Sequence, residues 1–285
     1  MTIIMLGDVV GEPGLMILEK RLSLLIAEYA PDFIVANGEN AAGGFGLTRE
    51  TLDRILAAGV DVVTGGNHIW EKREFWPVLE SPVFPNGKAV LRPANYPIIK
   101  EVDSAGENGI TGSSTESALI SHSVPGRGQI VLEKNGFSVL VINLQGREFM
   151  TPIDCPFRCF DSITAENSTV HIIVDFHAES SEEKEALAYY LDGRASIVAG
   201  THTHVQTADE RILPKGTAYI GDLGMTGAFN GIIGMDRDIC LNRTRSQVAY
   251  HLECAKATEE NCAVEGIVVT LDEKGRALSI NRINC

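Results

Sequence analysis

The 285-residue chain has little positive charge: 24 Lys and Arg stand against 38 Asp and Glu, a formal net charge of −14. A surface of that sign repels polyanions on average, which argues against a non-specific nucleic-acid or membrane binder. It leaves room for a local cationic site, because bound metal ions supply positive charge without Lys or Arg. Long apolar runs are also missing. No segment approaches the roughly 20 apolar residues of a transmembrane helix. Thr2 to Leu6 is apolar but breaks at Gly7-Asp8, so it reads as a strand rather than a signal peptide. The expected location is the cytoplasm. The six cysteines (Cys155, Cys159, Cys240, Cys254, Cys262 and Cys285) contain no C-x-x-C pair. That removes a zinc ribbon or a thioredoxin-type site and leaves reduced thiols. There is no G-x-x-x-x-G-K-[ST] loop and no G-x-S-x-G elbow.

What is present is the composition of an ordinary globule, 44% hydrophobic and 22% charged. A chain of this length buries about 75% of its unfolded surface and needs no disulfide or metal merely to fold. Short apolar runs alternate with helical patterns. After the first strand, Pro13 suits a first helical position, and Leu15, Leu18, Leu22, Leu25 and Tyr29 form one stripe at helical spacing. Pro31-Asp32 ends that helix, and Phe33 to Ala36 begins a second strand. Thr48 caps a helix carrying Leu52, Ile55 and Leu56, with Gly59 as its stop. Val60 to Thr64, Val139 to Asn143, Ile172 to Asp175 and Ile197 to Ala199 read as further strands. Ser180 and Glu183 have capping-box spacing before a helix through Leu191, with Gly193 as terminator.

The last third alternates instead. Val248, Tyr250 and Leu252 read as one strand face, and Asp272 to Gly275 joins Ile267–Leu271 to Ala277–Ile283 as a hairpin. A sheet-on-sheet core with helices outside accommodates both patterns in a single domain, 1–285. The polar stretch 103–128 fits neither pattern and reads as a long loop or insertion.

Five expected strands are each followed at once by metal-binding residue types: Asp8, Glu39-Asn40, Asn67-His68, His177 and His202-Thr203-His204. Ligands bind outside the carboxyl ends of strands in open α/β sheets, where loops distant in sequence converge. Setting His68 aside, the set holds two carboxylates, two carboxamides and three imidazoles. Mixed oxygen and nitrogen donors suit Mn²⁺, Fe or Zn²⁺. Seven candidates are too many for one tetrahedral ion but suit two ions sharing a carboxylate. Such ions, about 3.5–4 Å apart, clamp a phosphoryl group and lower the pKa of a bridging water. In an extended segment His202 and His204 face the same way, so one loop serves both ions.

These blocks resemble the ordered motifs of the calcineurin-like metallophosphoesterases, and most closely the YmdB-like branch. The matching phrases are MLGDVVGEPG at 5–14, ANGENAAGGFGLT at 36–48, TGGNHIW at 64–70, RPANYP at 92–97, NLQGR at 143–147, DFHAE at 175–179 and GTHTHVQTADERILPKGTAYIGDLGMTG at 200–227. Val10 stands where the wider superfamily has the His of D-x-H, Glu39 where it has a bridging Asp, and Asn40 replaces the missing His. The oxygen-rich first site favours Mn²⁺ or Fe over Zn²⁺, with Mg²⁺ a further candidate.

The resemblance implies an α/β fold, two packed mixed β-sheets flanked by helices (αββα). It implies a first ion on Asp8, Asn40 and His204, a second on Asn67, His177 and His202, and Glu39 between them. It implies His68 as general acid, or as the group that stabilises the leaving oxygen. The implied reaction is phosphodiester hydrolysis by a metal-bridging hydroxide. The implied substrates are small phosphoesters, 2′,3′- or 3′,5′-cyclic nucleotides first, rather than a long nucleic-acid polymer. Self-association into a homo-oligomer is implied as well. Two rival readings are a phosphomonoesterase and a regulatory metal-binding protein acting through partner contacts.

Other residues carry less. Gly43 to Gly46 reads as a lip beside Glu39-Asn40. Phe45 and Trp70 are candidates to stack on a nucleobase, though core packing is the commoner use of such rings. Arg147 either meets a phosphate or pairs with an acidic neighbour. His122, His171 and His251 have no partner motif and read as ordinary surface or core residues.

Overall fold

The computed structural model describes residues 1–97 and 124–285. The chain runs β1 (Thr2–Leu6), β2 (Asp8–Val9), α1 (Gly11–Tyr29), β3 (Phe33–Asn37), α2 (Arg49–Ala58), β4 (Val62–Thr64), α3 (Trp76–Glu80) and β5 (Ala89–Val90). It continues with β6 (Gln129–Lys134), β7 (Phe137–Gln145), α4 (Pro156–Ala165), β8 (His171–His177), α5 (Ser181–Leu191) and β9 (Ile197–Thr201). The last elements are β10 (Arg211–Ile212), β11 (Ala218–Ile220), β12 (Met225–Ala228), α6 (Arg237–Ser246), β13 (Cys262–Leu271) and β14 (Ala277–Asn284).

The strands form two mixed sheets. The larger has the order β2-β12-β13-β1-β3-β4-β5, with β14 also paired to β13. The smaller has the order β10-β11-β9-β8-β7-β6. Alternation along each strand divides the core into three layers, because successive side chains leave opposite faces. Ile4, Leu6, Ile34, Ala36 and Val63 pack outward against α1 and α2. Ile3, Met5, Phe33, Val35 and Val62 face inward and meet Val139, Val141 and Ile173 of the other sheet. Leu140, Ile142, Val174 and Phe176 face out again, onto Phe160 of α4 and Leu187 of α5. The architecture is the expected αββα sandwich.

Local signals place most elements. Thr48 caps α2 with a reciprocal box to Thr51, and Gly59 ends it at φ +127°. Helix α1 starts at Gly11, so Pro13 is its third residue rather than its first. A missing N–H is tolerated there because the first turn has no internal acceptors to serve. Ser180 caps α5, accepting from Glu183 N at 3.2 Å. The Glu183 carboxylate does not complete the box. It accepts instead from the backbone of Arg147 and Glu148, at 2.9 and 3.1 Å.

The alternation at Val248, Tyr250 and Leu252 is not a strand: 247–250 has no regular structure, and Val248 and Tyr250 are exposed. The segment pairs with no named strand; the isolated bridge Met235–Cys254 at its foot is the nearest pairing among the described residues. Most of the polar stretch 103–128, and His122, lie outside the described residues. All six cysteines are free thiols. Among the described residues no helix is long and apolar enough to cross a membrane.

Candidate metal centre

β1, β3 and β4 are parallel, as are β7, β8 and β9. Their carboxyl ends meet at one rim between the sheets, and every metal-ligand candidate lies there. Asp8 opens β2, Glu39 and Asn40 follow β3, and Asn67 and His68 follow β4. His177 is the last residue of β8, while His202 and His204 follow β9. The close approach of β4 and β8 depends on Gly66, where a Cβ would overlap the His177 imidazole.

The side chains gather in two groups. Asn40 Nδ2 lies 3.4 Å from Asp8 Oδ1 and 3.1 Å from His204 Nε2, and His204 Nε2 lies 3.7 Å from Asp8 Oδ1. In the second group His177 Nε2 is 3.2 Å from Asn67 Oδ1, 3.0 Å from His202 Nδ1 and 2.9 Å from Glu39 Oε1. Asp8 links the two, because its Oδ2 accepts from His202 N at 3.2 Å. Glu39 Oε2 accepts from His68 N at 2.9 Å, while Oε1 is fully buried and faces His177 Nε2 as an ion pair without hydrogen-bond geometry. Ligand atoms of Glu39, His177 and His202 lie within 4.8 Å of one another.

This donor set fits a cation. One Nε2 cannot satisfy a carboxylate, an amide oxygen and a second imidazole, and a buried carboxylate oxygen without a hydrogen bond is costly. Burial opposes charge at both Glu39 and His177, yet their mutual attraction wins. Glu39 is held at about 2 and His177 is pushed up to about 9. His202 goes the other way, to about 3, through burial and the neighbouring His177 charge.

Each imidazole is oriented from behind. Thr201 Oγ1 donates to Asp175 Oδ1 at 2.7 Å and so faces His177 Nδ1, 3.0 Å away, with a lone pair. Thr64 donates to the other Asp175 oxygen. His202 Nε2 faces Glu179 Oε2 at 3.2 Å, and His204 Nδ1 donates to Ile233 O at 2.9 Å. These partners assign Nε2 of His177, Nδ1 of His202 and Nε2 of His204 as the free donor nitrogens. The loop is not extended, contrary to the expectation from its spacing. His202 has φ +105° and His204 φ +62°, conformations that cost about 1–3 kcal/mol each and persist where the surroundings over-determine them.

A cleft of about 600 Å³ opens above the rim. His68 stands in its wall with Nδ1 3.3 Å from Glu71 Oε1 and its ring edge-on to Phe45 at 5.0 Å. Gly44 and Phe45 of the expected lip also line it. Trp70 does not; it packs against the core and Tyr96. Arg147 Nε lies 3.7 Å from Glu183, away from the cleft.

His251, read from sequence as an ordinary residue, lines the cleft together with Arg243 and Tyr250. His171 is indeed ordinary, facing Asp272 O at 3.2 Å. Glu179 and Thr201 lie in the DFHAE and GTHTH motifs, where the sequence gives them no role of their own; the structure sets both behind the imidazoles.

The family model described as YmdB-like protein matches residues 4–283. The chain belongs to the YmdB-like family. A Bacillus subtilis relative, named 2′,3′-cyclic-nucleotide 2′-phosphodiesterase, is 41% identical over 99% of this YmdB-like chain and 96% of its own length. A crystal structure of a hypothetical protein from Thermus thermophilus superposes with TM-score 0.84 at 38% identity, covering 100% of this chain and 99% of that one. A Mycoplasma pneumoniae structure described as a novel phosphatase gives TM-score 0.83 at 30% identity, covering 100% and 93%. The sandwich is thus the metallophosphoesterase fold, and this YmdB-like chain is a phosphoric ester hydrolase.

Proposed function

We propose that the chain is a di-metal phosphodiesterase for small phosphoesters, with 2′,3′-cyclic nucleotides as first substrates and 3′,5′-cyclic nucleotides as second. The observation that carries this is the buried donor set gathered around Glu39, bordering a cleft that also holds His68. Asp8, Asn40 and His204 would hold one ion, Asn67, His177 and His202 the other, and Glu39 would be shared. When bound, such ions supply Lewis acidity toward phosphoryl oxygens and acidify water. The oxygen-rich first group favours Mn²⁺ or Fe. The preference for cyclic nucleotides rests on the name of the Bacillus subtilis relative and on the size of the cleft.

The chain's own part is positioning and proton supply. A water oxygen bonds to phosphorus, one P–O ester bond breaks, and the departing oxygen needs a proton. His68 supplies it. Its backbone is tied to Glu39 and its Nδ1 to Glu71, which leaves Nε2 for the leaving oxygen. The net charge of −14 keeps long nucleic-acid polymers off the surface without barring a small ester. A cytoplasmic setting and a homo-oligomer belong to the same reading.

A second reading, phosphomonoesterase, is favoured by the phosphatase description of the Mycoplasma pneumoniae structure. A screen of cyclic mononucleotides, dinucleotides and monoesters with Mn²⁺, Fe²⁺, Zn²⁺ and Mg²⁺ separates the two. Turnover of cyclic diesters above monoesters is the expected result. Turnover of monoesters alone overturns it, and turnover of neither favours a regulatory metal-binding protein.

A further inference from the structure

Between β12 and β13 the chain leaves the sandwich as an arm, residues 237–252. Its foot is closed by Asp236 N donating to Glu253 O at 2.8 Å and Ala255 N to Gly234 O at 2.9 Å. Ile233 at that foot accepts from the ligand imidazole of His204, so the arm is tied to the metal rim. From that foot the arm reaches the wall of the catalytic cleft, where Arg243, Tyr250 and His251 line it.

The arm's charge opposes that of the molecule. Within a chain of net charge −14, residues 237–252 carry three arginines and one aspartate, plus His251. Arg237 is matched by Asp238 at 3.3 Å. Among the described residues, Arg243 and Arg245 have no carboxylate partner, and Arg243 is the only Lys or Arg in the cleft lining. The same lining includes the acidic and imidazole rim residues Glu39, His68, Glu179, His202 and His204. A guanidinium kept without a partner on a cleft wall is suited to planar recognition of phosphate oxygens. The diester undergoing hydrolysis is engaged at the rim. Arg243 stands on the arm rather than among the rim residues, which suits it to a different anionic group on the same molecule. The same cleft is lined by apolar and aromatic surface from Phe45, Ile233, Met235 and Tyr250, which fits a nucleoside.

We infer that the arm recognises a second phosphate through Arg243, so that the preferred substrate is a cyclic nucleotide bearing a further phosphate. This rests on the phosphodiesterase reading and names its substrate class more narrowly. That phosphate is either a 5′-monophosphate or the internucleotide phosphate of a short oligonucleotide ending in a cyclic phosphate.

The test compares three substrates on the Mn²⁺-loaded protein: a 2′,3′-cyclic mononucleotide, the same nucleotide with a 5′-phosphate, and a dinucleotide with the same cyclic end. The wild-type protein should favour at least one of the latter two by about tenfold in kcat/KM, expressed in KM, the scale of one charge-assisted contact. Whichever is favoured identifies the source of the phosphate. Raising salt to about 0.5 M should shrink the preference. In Arg243→Ala the preference ratio should fall to near one, whereas Arg237→Ala should keep it. Equal rates on all three substrates overturn the inference and leave the phosphodiesterase reading standing. An equal loss on all three in Arg243→Ala, with a changed mass in solution, overturns it in favour of a contact between copies. Hydrolysis of none overturns both readings.

Discussion

The candidate metal rim and the arm share one cleft and are built by opposite means. At the rim Asp8, Glu39 and His177 are fully buried, and each candidate ligand imidazole has a partner behind it. In the arm every residue from Leu241 to His251 is exposed, and hydrogen bonds hold only the foot. Rigid placement serves chemistry that tolerates little displacement. An exposed segment with few contacts belongs to the low-stability end of a structure, where substrate-selecting elements are found. Rim substitutions should therefore damage every substrate, and arm substitutions should discriminate among them.

The largest expected effect breaks the rim. Glu39→Ala or Asp8→Ala should abolish Mn²⁺-dependent hydrolysis of a chromogenic phosphodiester, at least about a thousandfold, with the circular dichroism spectrum unchanged. Unchanged turnover would remove the metal assignment. Next comes His68, the proposed proton donor. His68→Ala should keep its metals, measured by elemental analysis, and lose roughly 10²–10⁴ in rate. The loss should be greatest for poor leaving groups, which depend most on protonation. Loss of metal occupancy would instead make His68 a ligand.

The same contrast decides what can be read in the sequence. Rim residues follow strands, and strands announce themselves as short apolar runs, so Asp8, Glu39, Asn67 and His202 are legible as a converging set. The apolar runs stop short of the true carboxyl ends: β8 extends to His177 and β9 to Thr201. Their last residues are polar because they face the site, and polar residues do not look like strand. Orientation is less legible. The T-H-T-H spacing suggests an extended segment, but positive φ at His202 and His204 aims the rings. Only the demands of the site explain that strain. The arm is not legible at all, because Val248, Tyr250 and Leu252 alternate as a half-buried strand would. His251 has no local motif, since its neighbours in the cleft come from elsewhere in the chain.

A smaller effect sharpens the role of the groups behind the rim. Thr201→Val removes the hydroxyl that links Asp175 to His177 Nδ1. Metal affinity, measured by calorimetry, should fall about 10–100-fold, and Thr201→Ser should restore it. If the serine variant matches valine, Thr201 acts through packing rather than through orientation of the ring.

The smallest effect is a dependence on pH. His177 titrates at about 9, above its ordinary 6.5: burial lowers it, but the Glu39, Asp8 and Asp175 carboxylates outweigh burial. Glu39 is already ionised at neutral pH, and His202 is already neutral. An ion entering the second group must therefore displace one proton, from His177. Below pH 9 its affinity should fall about tenfold per pH unit, with about one proton released at pH 7 in calorimetry across buffers of different ionisation heat. Metal-free protein should show the opposite slope. A raised histidine stabilises the fold fully below pH 6.5, and that contribution is lost as pH rises through 9. Over this window the metal-free fold should weaken while metal binding tightens, a crossing that a purely structural His177–Glu39 pair would not produce.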